Sequence, residues 1–563
     1  MRWPRKAELR VVSILLAALM VWTGRYFVNP DGISYLDLSD DFAAGRWSDA
    51  VNGHWSPAYP FVLSLWLRLF GSGTRLEALG VHILNGLIFL VAVIAFEFFL
   101  RELRRSQLPR ADRTIRPWAL DLNTRAGAVC AWSIFLWCAL VLITIRVITP
   151  DMMIAAIVFA IAALVLRIRE EEAGVGSYVA FGTLLGLGYL AKSFMFWVSL
   201  AILAMSFVTT RRIRSAPKRH LLSLVIFAIV ALPQVVALSR QSGSLRVSDS
   251  ARFVYALKVN FVPKLWTGVP ATSGVPSHPM QVIDTVPLTV AFPTDKPSRT
   301  YPVWDDLSYW YDGMVARFDV KQQIEAIERN VKSDLGIALK VIVPLLAVWF
   351  MRDRRFSTRY RTLTVIPWAV IAGYALFYSE SRLIGVWLAI ALISGLAGIS
   401  LESDSASRQK LFARLTNRES TLDEAKVAVY FITAICTLSI VSYALALSFS
   451  PARDTGLQAQ DIHWKVAENL RASGITRGAK VALLGDESDI HWARLSGVQI
   501  AAQIPLDNVD QYWTLTPEAR ADLDHRIAAT GAVAMIASWT APPAAINGWR
   551  RVPGTPFSIH PLN

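Results

Sequence analysis

NPDGISYLDLSDDFAAGRWSDAVNGHWSPAYP, residues 29–60, is an acidic, aromatic-rich stretch set between two apolar runs at 9–28 and 76–101. An apolar run of about 20 residues spans the hydrocarbon core as a helix, because lipid offers backbone amides no partners and a helix satisfies them internally. The first run has basic flanks but no small-residue cleavage site ahead of Asp31, so it reads as a retained anchor and not a signal peptide. Residues 29–60 are therefore expected just outside the membrane. A carboxylate held there, Asp31 first among them, can work on a lipid-borne substrate at the water boundary.

Outward from this stretch the chain carries about eleven apolar runs, near 9–28, 76–101, 126–146, 151–167, 178–191, 193–209, 220–239, 335–351, 362–378, 382–400 and 426–449. With 54% hydrophobic residues, 20 Trp and only 18% charged residues in 563, the composition is that of a polytopic membrane protein. The expected fold is mainly α: a transmembrane helical bundle with interfacial helices and a small C-terminal α/β domain. The net charge of +14 comes from short basic segments between apolar runs, and no basic stripe carries the interleaved aromatics of a nucleic-acid module. Cys130, Cys138 and Cys436 all fall inside apolar runs, which suggests packed thiols and neither a disulfide framework nor a Cys-ligated metal.

If the N-terminus (Arg2, Arg5, Lys6, Arg10) is cytoplasmic, alternation places the basic segments 101–125, 167–169, 211–219, 352–361 and 408–426 on that same side. The opposite, extracytoplasmic face then receives residues 29–60, the Thr149-Pro150-Asp151 turn, the Ala191-Lys192-Ser193 break, the long loop 241–333, the 379–382 turn and the C-terminal segment.

Each ionisable group on that face has a plain reading beside a chemical one. Asp31 suits the N-cap of an interfacial helix as well as a catalytic base. Asp37, Asp40 and Asp41 read as a solvated helix face, with Asp40-Asp41 offering hard oxygen ligands to a cation only weakly. His54, in His54-Trp55-Ser56-Pro57 ahead of an interfacial amphipathic run at 58–70, is either a surface histidine or a donor to phosphate. Asp151 is a helix-start residue or a site carboxylate. Lys192 interrupts GTLLGLGYLAKSFMFWVSL (182–200), and an ionisable residue inside an apolar run is costly unless paired or wetted. Glu380 and Arg382, in FYSESRLIGVWL, form either a local ion pair or part of a pocket beside Tyr374 and Tyr378.

The loop 241–333 is rich in proline, which opposes long regular elements and favours a lid or rim. Its aromatics Trp304, Tyr309 and Trp310 are either interface anchors or an acceptor rim. After residue 450 the composition becomes that of a soluble domain, with buried strands expected at 480–484 and 532–536 and helices near 461–473 and 515–529. Gly485-Asp486-Glu487 reads as a turn or a binding loop, and no GxGxxG or P-loop pattern supports a nucleotide site. The division is thus 1–450, including outer loops 29–75 and 241–333, and 451–563.

The early Asp31, the interfacial WSPAYPFVLSLWLRLFG (55–71), the TPDM turn (149–152), the GLGYLAKS break (186–193) and the ESRLIGVWL hairpin (380–388) resemble, in order, the GT-C membrane glycosyltransferases over roughly residues 9–400. The resemblance is to the protein O-mannosyltransferase and lipid A aminoarabinose transferase group (glycosyltransferase family 39- or 83-like). Members often carry Asp-Glu where this chain has Asp31-Gly32. The resemblance implies an integral enzyme of a bacterial inner membrane. It would use a polyprenyl-phosphate sugar donor and a lipid, glycan or protein acceptor on the extracytoplasmic side, with no nucleic acid and no cofactor, a divalent metal not being required. It also implies an inverting single displacement in which Asp31 is the base, Lys192, Arg382 and His54 bind the donor phosphate, and Asp151 and Glu380 orient those cations or contact the sugar. A ligase for whole lipid-linked glycans, a lipid or sugar flippase or transporter, and a noncatalytic scaffold are the competing classes.

Overall fold

A computed structural model describes residues 6–107, 120–169, 173–210, 215–262, 280–294, 299–306, 309, 315–350, 354–356, 360–401, 424–539, 542 and 546–562. Helices occupy all eleven apolar runs: α1 (Lys6–Thr23), then after two shorter helices, α2 (Pro30–Ala43) and α3 (Ala58–Phe70), come α4 (Glu77–Gln107), α5 (Arg125–Leu136, continued as a π-helical turn Trp137–Ile143), α6 (Asp151–Arg169), α7 (Val175–Ala191), α8 (Met195–Thr210), α9 (Ala216–Ser242), α10 (Val320–Phe350), α11 (Arg361–Phe377), α12 (Ser381–Gly398) and α13 (Glu424–Ser448). Among the described residues, six of them (α4, α5 with its π-helical turn, α6, α9, α12 and α13) are long and apolar enough to cross a membrane. The chain is an integral membrane protein. Helices α7, α8 and α11 are equally apolar but shorter, at 16 or 17 residues. The first run is helical only to Thr23 and leaves the helix as a turn before Pro30 starts α2, because proline at the first helical position loses no hydrogen bond there.

The bundle core is a single apolar cluster centred on aromatic side chains of α4, α5 and α6. Phe96 stacks on Phe135 at 4.2 Å between ring centroids and meets Trp132 edge-on at 5.4 Å. Cys130, Cys138 and Cys436 are buried free thiols, as expected from their place in apolar runs. Helices α7 and α9 approach closely where small residues allow it. A Cβ at Gly182 would lie 2.4 Å from the Ser223 carbonyl oxygen, and one at Gly186 would lie 2.6 Å from Val230 Cβ. This is the small-xxx-small device of membrane helix pairs.

After α13 come α14 (Ile462–Ala472), the short α15 (His491–Ser496) and α16 (Pro517–Ala528), with strands β3 (Lys480–Gly485), β4 (Gln499–Pro505), β5 (Ala532–Ser538), β6 (Arg550–Arg551) and β7 (Phe557–Pro561). The two expected strands and two expected helices are all present within a few residues. The sheet nevertheless has seven strands in the order β1-β2-β4-β3-β5-β7-β6, because the hairpin β1 (Gln281–Thr285) and β2 (Leu288–Ala291) from the proline-rich loop joins its edge. Strand β2 runs antiparallel to β4 with Val290 opposite Gln503, whereas β3 lies parallel to both β4 and β5. The loop expected to resist regular structure is thus built into the sheet. Its apolar side chains continue the core: Val290, Tyr301, Trp492 and Ile500 pack in one cluster with Ile33, Leu36, Tyr59 and Leu63 of α2 and α3.

Gly182→Val is expected to lower thermal stability in detergent by about 1–3 kcal/mol, since overpacking forces helix α7 off the α9 backbone. A thermal-unfolding midpoint equal to wild type would show that the two helices part without cost.

Candidate functional site

Five ionisable residues from four segments meet at one end of the bundle. Asp31 is the second residue of α2; the N-cap position belongs to Asn29, whose side chain instead accepts from the Ile148 amide at 2.7 Å. The Asp31 carboxylate is thereby left to turn away from the helix end and accept from Arg382 Nη2 at 2.9 Å. Arg382 stands in the first turn of α12, where its Nε reaches Glu380 at 2.5 Å and its Nη1 lies 3.6 Å from Asp151. One planar guanidinium thus serves carboxylates from three segments, which a lysine's single ammonium does less well.

Asp151 opens α6 directly after Pro150, so the partial positive charge of the helix start stabilises its carboxylate. It also accepts from Thr149 Oγ1 at 2.9 Å and pairs with Lys192 Nζ. Lys192 is where α7 stops: its backbone is extended, its amide bonds back to Gly188, and Met195 begins α8 three residues later. That break carries the ammonium to the bundle end, and the cost of burying it is met by Asp151. Glu380 holds the N-cap position of α12 and accepts from the Tyr378 hydroxyl as well as from Arg382. Asp151, Lys192 and Arg382 line a small pocket together with Ile154, Phe194, Met195, Tyr374, Leu383, Val386 and Trp387, so the charged groups stand beside apolar and aromatic side chains.

His54 is half-buried, packed edge-on between Trp55 at 4.4 Å and Phe253 at 4.8 Å. Burial pushes its imidazole down from 6.5 to about 4, a shift that Asp31 opposes and Lys192 reinforces. It is therefore neutral at pH 7 and can offer a phosphate one N–H but no charge. Tyr35 on α2, buried beside Asp31 and Asp151, has its phenol held well above the usual tyrosine range by desolvation and by those carboxylates.

Other expectations need correction. Asp37 and Asp41 are not a solvated face but buried: Asp37 accepts from the Thr300 amide at 2.8 Å and from Arg494 at 2.8 Å, and Asp41 pairs with Arg299 at 2.8 Å and Arg46 at 2.8 Å. Asp40 is committed to Arg494 at 3.0 Å and Ser72 at 2.6 Å, so neither it nor Asp41 offers idle oxygens to a cation, and no group of metal-ligating side chains occurs among the described residues. Tyr309 is fully buried against Phe292, with its hydroxyl donating to the Pro293 carbonyl, so it belongs to the sheet core and not to a rim. Trp304 ties the loop to the site layer through its carbonyl, which accepts from Trp55 Nε1 at 3.0 Å. Trp310 lies outside the described residues. Asp486 accepts from the Ser488 amide at 2.8 Å, the turn use of Gly485-Asp486-Glu487.

Gly32 is closely packed: a Cβ there would meet Ile148 Cβ at 2.9 Å and Asn29 Oδ1 at 3.1 Å. A second carboxylate beside Asp31 has no room on this backbone. The sequence gives no warning of Tyr35, Tyr59 or Asn85, which sit under the site with the Tyr59 hydroxyl donating to Asn85 at 2.8 Å. Buried aromatic and amide residues in interfacial segments look like ordinary anchors until their partners are known.

No protein-family profile matches the chain, and no curated protein does. Among solved structures, the crystal structure of ArnT from Cupriavidus metallidurans bound to undecaprenyl phosphate superposes over 98% of this chain and 97% of that one, with a TM-score of 0.52 at 15% identity. The archaeal oligosaccharyltransferase AglB from Archaeoglobus fulgidus, in complex with an inhibitory peptide and a dolichol-phosphate, covers 95% of this chain and 70% of its own at a TM-score of 0.45 and 12% identity. The chain therefore shares the overall fold of that bacterial structure over nearly its whole length, as the order of its motifs leads one to expect.

The low pKa of His54 sets a sign for acid stability. Between its ordinary value of 6.5 and about 4 the unfolded chain binds the proton and the folded chain does not, so stability falls as pH drops through that window. His54→Gln should flatten the decline in unfolding temperature between pH 6.5 and 4; an unchanged decline would assign it to other groups.

Proposed function

We propose that the protein is a membrane glycosyltransferase that moves a sugar from a polyprenyl-phosphate donor to an extracytoplasmic acceptor. The observation that carries this reading is the pair of cations Lys192 and Arg382, both held by Asp151 beside Ile154, Met195, Val386 and Trp387, with the Asp31 carboxylate 2.9 Å from Arg382. A phosphate suits two cations fixed by opposite charge, and a lipid tail suits the apolar side chains next to them. The GT-C neighbour of matching length binds undecaprenyl phosphate, which agrees with this donor class.

In the reaction proposed, an acceptor hydroxyl oxygen attacks the anomeric carbon from the side opposite the phosphate. The new glycosidic bond forms as the bond from that carbon to the phosphate oxygen breaks, with inversion, and the hydroxyl proton passes to Asp31. The leaving polyprenyl phosphate gains negative charge in the transition state, so Lys192 and Arg382 stabilise that state more than the ground state. Asp151 keeps both cations aimed, Glu380 shares Arg382, and neutral His54 donates one hydrogen bond. Before the donor arrives, Arg382 is shared by Asp31, Asp151 and Glu380, so an entering phosphate competes for that guanidinium with the proposed base. Loosening of the Asp31–Arg382 pair frees the carboxylate to meet the acceptor hydroxyl when substrate is present.

The charged groups lie at helix ends and not at the middle of the spans, an arrangement that favours surface chemistry over a transport path, for which paired sites at mid-membrane are the rule.

Reconstituted protein should transfer radiolabelled sugar from polyprenyl phosphate to an envelope acceptor fraction. Asp31→Asn should reduce turnover by about a hundredfold to ten-thousandfold, the usual contribution of a positioned base, while donor binding is kept or tightened because Arg382 loses a competitor. Lys192→Met should weaken polyprenyl phosphate binding by roughly tenfold or more, the loss of one charge-assisted hydrogen bond. Full turnover in the Asp31 variant would remove it as the base. An inactive wild type that still binds the lipid would point to transport or scaffolding.

A further inference from the structure

The acidic face of α2 does something other than face water. Arg494, on α15 between strands β3 and β4, has a side chain only 3% exposed and inserts between Asp37 and Asp40 of α2 and Glu77 at the start of α4. Its Nη1 reaches Asp37 at 2.8 Å and Asp40 at 3.0 Å, its Nη2 reaches Glu77 at 2.8 Å and Ser72 at 3.0 Å, and its Nε bonds Glu77 again at 3.1 Å. Three carboxylates therefore gather around one cation, and their mutual repulsion is held in check by it. Removing one partner of such a buried set leaves uncompensated charge, which is far more costly than the set's own net worth.

Helix α2 is also the helix that carries Asp31. Asp37 lies six residues beyond Asp31 on it, a rise of about 9 Å at 1.5 Å per residue, so a shift of α2 at Asp37 is transmitted to Asp31 through hydrogen-bonded helix. Neither Lys192 nor Arg382 is on α2: they are held at the end of α7 and the start of α12. Arg382 touches Asp31, but it and Lys192 are also held by Asp151 of α6, so the groups proposed to hold phosphate keep an anchor that α2 does not supply.

We infer that Arg494 is a positioning residue for Asp31: together with the Asp37–Thr300 and Asp41–Arg299 contacts and the shared apolar core, this side chain fixes the pose of α2 against the C-terminal sheet and with it the distance from the carboxylate to the reacting hydroxyl. The inference rests on the reading of Asp31 as base. It assigns the C-terminal segment a part in the rate of transfer and none in holding the donor phosphate.

The test compares full-length wild type with Arg494→Lys, which keeps the charge but loses the planar fork, in lipid nanodiscs. Three quantities are read: the dissociation constant for undecaprenyl phosphate, the single-turnover rate of sugar transfer, and hydrogen exchange of the backbone amides of residues 30–43. The expected result is a dissociation constant within about twofold of wild type, a transfer rate lower by about tenfold or more, and faster exchange confined to α2, in keeping with the sensitivity of catalysis to misplacements near 1 Å. If the lysine variant does not fold, Asp40→Asn, which removes the most exposed of the three carboxylates, is used with the same expected split. Unchanged rate and unchanged exchange overturn the inference, as does a loss of lipid binding and rate together with faster exchange throughout the bundle. An inactive wild type would defeat the transferase reading instead, and exchange over residues 30–43 would still decide whether Arg494 holds α2.

Discussion

The arrangement at the end of the bundle depends on one guanidinium. Arg382 ties α12 to the start of α2 through Asp31 and to the start of α6 through Asp151, while Asp151 in turn holds Lys192 at the end of α7. Four segments far apart in the chain are thereby fixed by two cations and two carboxylates, one of them shared. Each is brought there by a local rule: proline starts α2 and precedes α6, α7 ends before Lys192, and Glu380 precedes α12. Helix ends are the one place in a bundle where backbone groups already need polar partners, so charges gathered there disturb the apolar interior least.

Helix α2 joins this cluster to the layer above it. One end presents Asp31 to Arg382, and its middle presents Asp37, Asp40 and Asp41 to Arg494, Thr300 and Arg299. The long loop and the C-terminal sheet are therefore fastened to the same helix that supplies the proposed base, and the hairpin of the loop completes the sheet edge. An apolar core shared by α2, α3, the loop and the sheet makes this one packed layer.

The eleven helical runs were legible because apolar segments of spanning length have few alternatives in lipid, and Asp151, Lys192, Glu380 and Arg382 stood out because ionisable groups are rare at the ends of such runs. The same logic failed for Asp37 and Asp41. Three acidic residues on one short amphipathic helix look like a solvated face, since their partners Arg299, Thr300 and Arg494 lie some 260 to 460 positions away in the chain. Proline-rich composition likewise hid β1 and β2, which owe their order to the edge of β4 and not to their own sequence. Arg494 had one available signal: a lone arginine flanked by Trp492, Ala493 and Leu495 in HWARLSGV (491–498), between two strands.

The most buried of the site carboxylates is the one that receives two cations. Asp151, 4% exposed, has Lys192, Arg382, a threonine hydroxyl and a helix start; Asp31, at 27%, has Arg382 alone; Glu380, at 33%, has Arg382 and a tyrosine hydroxyl. A proton placed on Asp151 would release two cations in a dry site, which is why a buried carboxylate so surrounded serves as an anchor and not as an acid–base group. Glu380 is wetter, but it is held by its own short turn, two residues from the arginine it binds. Asp31 and Glu380 each combine partial exposure with one cationic partner among the described residues, and Asp31 differs in standing on α2, far in the chain from the arginine it binds. Among the three it makes the fewest hydrogen bonds and ion pairs with described residues, which accords with the role of base proposed for it.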